Sequence, residues 1–122
     1  SGNFRVQAFT PDGRFKFQFG GIGTGIGNFA RPRAIAVDKD GKIFVGDSGF
    51  NNVQIFNPSG ALLMPLGRLG RDPGPGNFAL LAGIAVDETR RLYVLDHYFR
   101  KIEVFRPLTD EEGRAKTRAV RR

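Results

Sequence analysis

One stretch of this chain occurs twice without a gap, and that repeat restricts the fold more than any other feature. Residues 27–56 read GNFARPRAIAVDKDGKIFVGDSGFNNVQIF, and residues 76–105 read GNFALLAGIAVDETRRLYVLDHYFRKIEVF. At a constant offset, Gly27, Asn28, Phe29 and Ala30 match Gly76, Asn77, Phe78 and Ala79. Ile35, Ala36, Val37 and Asp38 match Ile84, Ala85, Val86 and Asp87, and Val45 and Asp47 match Val94 and Asp96. A third, partial copy opens the chain. There Val6, Gln7, Phe9, Pro11, Gly13 and Gly20 match Val53, Gln54, Phe56, Pro58, Gly60 and Gly67.

Within a unit the apolar residues alternate, as in Ile35 and Val37, Ile43 and Val45, Val53 and Ile55. A period of two with one apolar side is the mark of strands with a buried face. Turn-forming residues separate the runs: Asp38-Lys39-Asp40-Gly41, Asp47 to Asn52, and Asn57-Pro58-Ser59-Gly60. The pattern predicts a meander with strands near 33–38, 42–46, 52–57 and 61–66. It repeats the first three strands near 82–87, 91–95 and 101–106, and the last two near 4–9 and 14–19. Gly/Pro-rich stretches at 20–28 and 70–77 act as linkers.

A four-stranded antiparallel unit recurring every 47–49 residues is a β-propeller blade. The chain is expected to be all-β: a partial blade over 1–20, a full blade over 27–67, a near-complete blade over 76–106, and a basic tail over 107–122. That makes roughly 2.5 blades, and a propeller ring needs about 4–8. Two readings stay open, part of a longer propeller chain or several copies assembled into a ring. A start inside a blade favours the first.

These residues resemble the NHL-repeat family, whose blades run G-x-F, I-A-V-D, a turn, I-F/Y-V-x-D, then N-x-V-Q-I-F and a closing F-G or L-G. The similarity covers residues 4–106. It is closest to the C-terminal blades of bacterial exported six-bladed propellers, which similarly join blades by linkers like Gly20 to Phe29. The resemblance implies a six-bladed ring and a periplasmic, outer-membrane-associated or extracellular location. It also implies an accessory role in electron transfer beside multihaem cytochromes. The last blade departs from the pattern at Leu80-Leu81, Arg90 and His97-Tyr98, in loops where partner contacts are expected.

Catalytic and cofactor chemistry finds little in the residues. The chain has no Cys, which excludes thiolate metal sites and cysteine nucleophiles. His97 is its one histidine, so a His-rich metal site cannot form within it. Ser1, Ser48 and Ser59 sit in turns or at the terminus without a G-x-S-x-G elbow. The glycines at 20–27 do not fit G-x-G-x-x-G. Asp38, Asp47, Asp87 and Asp96 recur at strand ends, where carboxylates accept backbone N–H bonds in their own turns. The expectation is no catalytic residue, no metal, no cofactor and no enzyme activity.

The formal charge is +7, but it is uneven. Residues 1–99 hold 11 Lys/Arg against 8 Asp/Glu, and residues 100–122 hold 8 against 4. The tail therefore carries more than half of the excess. Thr109 to Glu112 reads as a capping box, so the tail is expected to be a short helix or disordered. Most of the 12 Phe fall at repeat positions and are expected in the core.

The loop exceptions define the candidate partner-binding residues: Phe50, Asn51, Asn52, His97, Tyr98, Phe99, Arg100 and Lys101. Aromatic side chains beside basic ones are typical of protein-binding hot spots. The expected function is a non-catalytic scaffold for a protein partner, a multihaem cytochrome among those implied, or for the remaining blades of the same propeller. RNA binding through Arg31, Arg33, Arg100 and Lys101 is the first alternative. A metal-dependent propeller enzyme with its site on other blades is the second. No run is apolar and long enough for a membrane span.

Overall fold

The structure, a computed structural model, describes residues 5–20 and 28–106. The expected capping box and tail lie outside the described residues. Every regular element described is a strand. The first blade holds β1 (Val6–Phe9) and β2 (Phe15–Phe19). The second holds β3 (Pro32–Val37), β4 (Ile43–Asp47), β5 (Asn52–Phe56) and β6 (Leu62–Leu66), paired in that order. A parallel pair follows, β7 (Arg68–Leu69) with β8 (Asn77–Phe78). The third blade is β9 (Leu81–Val86), β10 (Leu92–Asp96) and β11 (Lys101–Phe105).

The nine strands expected from the sequence pattern are present in the expected order and antiparallel pairing, with ends shifted by one or two residues, and β7 and β8 are additional. The parallel pair brackets the 70–77 linker, of which only Asn77 lies in a strand, and the sequence pattern does not predict it. Two residues carry no periodicity, so β7 and β8 leave no pattern to detect. The bulges repeat as the strands do. Arg33 in β3 and Ala82 in β9 are each the extra residue at the start of an inner strand. Lys16 in β2 and Leu63 in β6 hold the same place in the outer strands.

Four hairpins share one turn. In each of Thr10–Arg14, Asp38–Lys42, Asn57–Ala61 and Asp87–Arg91, the first N–H donates to the fifth C=O. The fourth N–H in each returns to the first C=O. That fourth residue lies at positive φ, filled by Gly13, Gly41 and Gly60 at 92°, 88° and 92°. Arg90 adopts 68° in the last turn, the only one of the four without Gly there. The side-chain oxygen of Asp38, Asn57 or Asp87 accepts the N–H groups two and four residues on, each at 2.9–3.0 Å. Thr10 Oγ1 accepts the N–H of Arg14, four residues on.

Asp87 is the most engaged of these oxygens. The Thr89 hydroxyl, the Arg91 N–H, the Tyr93 hydroxyl and the Thr89 N–H all donate to it. They hold its carboxyl at about 2, below the ordinary 3.8.

Blades pack through two clusters. Phe29, Ile43, Val45 and Phe56 meet Val6, Phe17 and Phe19 of the first blade, with Phe19 and Phe56 rings 4.4 Å apart. Phe44 and Val53 of the second blade meet Phe78, Leu81, Leu92 and Val94 of the third. β4 therefore sends Ile43 and Val45 to one neighbour and Phe44 to the other, which is why all five of its residues are buried. On this second side Gly46 lets the inner strands touch. A Cβ there would lie 2.8 Å from Leu81 Cδ2 and 3.3 Å from Ile84 Cγ2.

Phe29 and Phe78 fasten the linkers. Both are fully buried, each against a glycine that ends the preceding outer strand. A Cβ on Gly67 would stand 2.5 Å from the Phe78 ring. The repeated pairing of G-x-F with that glycine is thus a steric fit between consecutive blades.

Two outcomes follow. Replacing Gly46→Leu, the residue that stands at this position in the third blade, is expected to cost about 1–3 kcal/mol by overpacking, read as a lower urea midpoint. The depressed Asp87 carboxyl means that folding favours its ionised form. That contribution is present above about pH 4 and is lost as the pH falls towards 2. Asp87→Asn keeps the turn, as Asn57 does, and is expected to flatten the fall of the urea midpoint with acid over that range.

Candidate functional site at the linker end of the blades

The meander places the turns at 38–42 and 87–91 at one end of the inner strands, where Arg90 and Asp40 form an ion pair at 2.7 Å. The turns at 47–52 and 96–101, with the linkers, stand at the other end. Each linker-end turn begins with a fully buried carboxylate, Asp47 or Asp96, both at 0% exposure.

These two carboxylates join the linker to the turn. Asp47 accepts Ala30 N at 2.8 Å and Arg31 N at 3.1 Å from the linker. It accepts Gly49 N at 2.8 Å and Phe50 N at 3.0 Å from its own turn. Asp96 repeats the arrangement with Ala79 at 2.7 Å and Leu80 at 3.5 Å, then Tyr98 and Phe99, both at 2.9 Å. Burial alone would raise the Asp96 carboxyl, but the N–H groups of Phe99, Ala79, Leu80 and Tyr98 outweigh it and hold the group below its ordinary range. With both oxygens facing amide donors, these carboxylates are structural groups of the turn.

The third strand of each blade clamps the same linker from its other side. Gln54 Nε2 donates to Asn28 O at 2.8 Å, and Glu103, at the matching position, accepts Gly76 N at 2.6 Å. Neither was singled out from sequence, although the repeat places both at one position. The Nζ of Lys101 donates to Pro73 O, Gly74 O and Glu103 Oε2 at 3.1, 3.0 and 2.8 Å. It also lies 5.0 Å from the Phe78 ring centroid and 5.8 Å from that of Phe99.

The candidate partner-binding residues therefore divide. Asn51, at φ 55° and 5% exposure, sends Oδ1 to Leu81 N of the next blade at 3.1 Å. Lys101 braces a linker, and Asn52 is half-buried beside Asp47 in the β4–β5 pair. Asn51 and Lys101 thus make their contacts within the propeller itself. Phe50 and Phe99 are half-exposed, and His97, Tyr98 and Arg100 are exposed. Tyr98 is 70% exposed, with its ring edge-on to Phe99 at 5.4 Å. Arg100 repeats the positive φ of Asn51, at 57°.

Arg31 and Arg33, named for RNA, are exposed on the linker and on β3. Among the described residues, no group of three or more His, Cys, Asp or Glu is placed to hold a metal ion. No helix there is long and apolar enough to cross a membrane.

This architecture of stacked antiparallel meanders, of two, four and three strands among the described residues, is that of β-propeller blades. Residues 38–109 match a family described as a 6-bladed beta-propeller, and the chain belongs to that family. Over 43 residues it is also 44% identical to E3 ubiquitin-protein ligase TRIM71 of Rattus norvegicus and to the protein of that name in Mus musculus. Those matches cover 35% of this chain and 5% of each relative, so the chain spans a small fraction of their length.

Removing the staple is expected to damage the blade. Asp47→Ala orphans four backbone donors and should cost about 3 kcal/mol or more, measured by thermal or urea unfolding. Asp47→Asn keeps one acceptor oxygen and should cost about half as much.

Proposed function

We propose that this chain is part of a non-catalytic, NHL-type propeller that holds a protein partner at its linker end, in a bacterial envelope setting beside multihaem cytochromes. One observation carries the scaffold reading. The recurring polar side chains at this end, Asp47, Asp96, Gln54 and Glu103, are engaged by backbone groups. The exposed chemistry is left to turn tips that differ from blade to blade, with Ser48 and Gly49 in the second blade and His97 and Tyr98 in the third. A rigid frame with variable tips is how a propeller presents contacts to a partner.

The envelope setting is supported by the resemblance of the I-A-V-D and Gly-rich linker motifs to exported bacterial propellers. The 6-bladed family supports the ring. The ligase named among the relatives is matched over 5% of its length, which supports a shared blade and not a shared reaction.

Cross-linking of the intact protein in envelope fractions of its source cells, followed by mass spectrometry and haem staining, tests both parts. The expected outcome is cross-links from residues 96–101 to a haem-bearing protein. Cross-links to a protein without haem would remove the cytochrome part. Cross-links confined to the propeller would remove the scaffold reading.

A further inference from the structure

The linker end carries an exposed surface that the internal contacts do not explain. Asp47 and Asp96 are buried against amide donors, and Glu103 is half-buried with Gly76 N and Lys101; Asp72, bonded by Gly74 N at 2.9 Å and Asn77 Nδ2 at 3.2 Å, is the exposed acid among them. Arg31, Arg68 and Arg71 are exposed, and no ion pair among the described residues involves them. Among them stand three large exposed side chains, Leu69 at 66%, Leu80, and Tyr98 at 70%.

Backbone contacts bring these residues to one end. His97 N meets Leu80 O at 2.9 Å, Ser48 N meets Arg31 O at 3.0 Å, and Arg68 N meets Gly76 O at 2.9 Å. Asn51 bridges the two groups through Leu81 N. The exposure of Leu80 and Tyr98 does not depend on the third blade being last. Arg31 and Gly49, at the matching positions of the second blade, are exposed although that blade has neighbours on both faces. Arg100 is different. It matches Asn51, which the next blade covers, and so it is left out of the surface.

We propose that Arg31, Arg68, Leu69, Arg71, Leu80 and Tyr98 form a docking surface for an acidic polypeptide segment carrying apolar side chains. The proposal deepens the scaffold reading and rests on it. Guanidinium groups donate to carboxylates in a two-point geometry, and Tyr and Arg side chains dominate the energy of protein interfaces. Leu69 and Leu80 give apolar side chains of the segment something to cover. A nucleic acid fits less well. Aliphatic side chains offer a phosphate backbone nothing, and single strands are held on successive aromatic platforms, where the described residues of this end expose Tyr98 alone as a full ring.

Fluorescence anisotropy with the intact protein tests this against three labelled probes. They are a peptide of about twelve residues alternating Glu with Leu and Phe, its Gln-for-Glu twin, and an oligouridylate of similar length. The acidic peptide is expected to bind about tenfold or more tighter than its twin at low salt, with affinity falling as salt screens the arginines. Tyr98→Ala, and Arg68→Ala with Arg71→Ala, are each expected to weaken binding about five- to tenfold with an unchanged Tm.

Equal binding of the two peptides, tighter binding of the oligouridylate, or variants without effect would each overturn the proposal. Failure of the acidic peptide, with cross-links to a protein partner at another surface, refutes this inference and leaves the scaffold standing. Failure of both removes the scaffold as well.

Discussion

The architecture depends on a carboxylate with no exposed surface that accepts four backbone N–H groups, two from a linker and two from a turn. Asp47 and Asp96 make these contacts at the same point of successive blades. Linker and turn lie far apart in the chain, and neither has a strand ladder to satisfy its amides. Buried N–H groups without acceptors are costly, so one ionised acceptor that serves both segments fixes where the linker enters its blade. Gln54 and Glu103 then hold the linker from the third strand, and Phe29 or Phe78 fills the space against the glycine of the previous blade. Each blade is thereby indexed to the one before it.

The blade faces are governed by sterics. In the second blade β4 is covered on both sides and has no exposed residue. Ile35 and Val37 on the first side of β3, and Leu95, Ile102 and Val104 on the third blade, are large apolar side chains left exposed. In a 6-bladed ring such faces belong against further blades. The two ends of the stack are not equivalent, because Leu95 stands where Gly46 admits Leu81 and Ile84 so closely. A neighbour built like the third blade would not fit on the third blade in the way that the third fits on the second. Blade order is thus written into the size of a single inner-strand residue.

Residues that recur at the linker end are engaged in holding the frame, so the exposed chemistry there is confined to what does not recur. The inner-strand turns at the opposite end differ in kind, with carboxylates that serve their own hairpins and an Arg90–Asp40 pair that links adjacent blades. With Asp47 and Asp96 buried, the described residues of the linker end expose Arg31, Arg68 and Arg71 against one exposed carboxylate, Asp72, an excess of positive charge suited to an oppositely charged partner.

The repeat, nine of the described strands, their meander order and the turns are legible in the amino-acid sequence, because period-two alternation and Asp/Asn-x-x-Gly turns are local physics written in neighbouring residues. The sequence also indicates that the recurring Asp residues serve backbone amides. It did not reveal that half of those amides lie in a linker 16 or 17 residues away. Nor did it reveal the β7–β8 pair, which is too short for a pattern. Only the tertiary structure separated Asn51 and Lys101 from Tyr98 among loop residues that look alike in sequence. Each of the first two points at a segment brought near by stacking, a neighbouring blade for Asn51 and a linker for Lys101. Periodicity records which face of its own strand a residue occupies. Whether a turn residue meets solvent or another blade depends on how blades rotate against each other, and that is set by long-range fits such as Gly46 with Leu81.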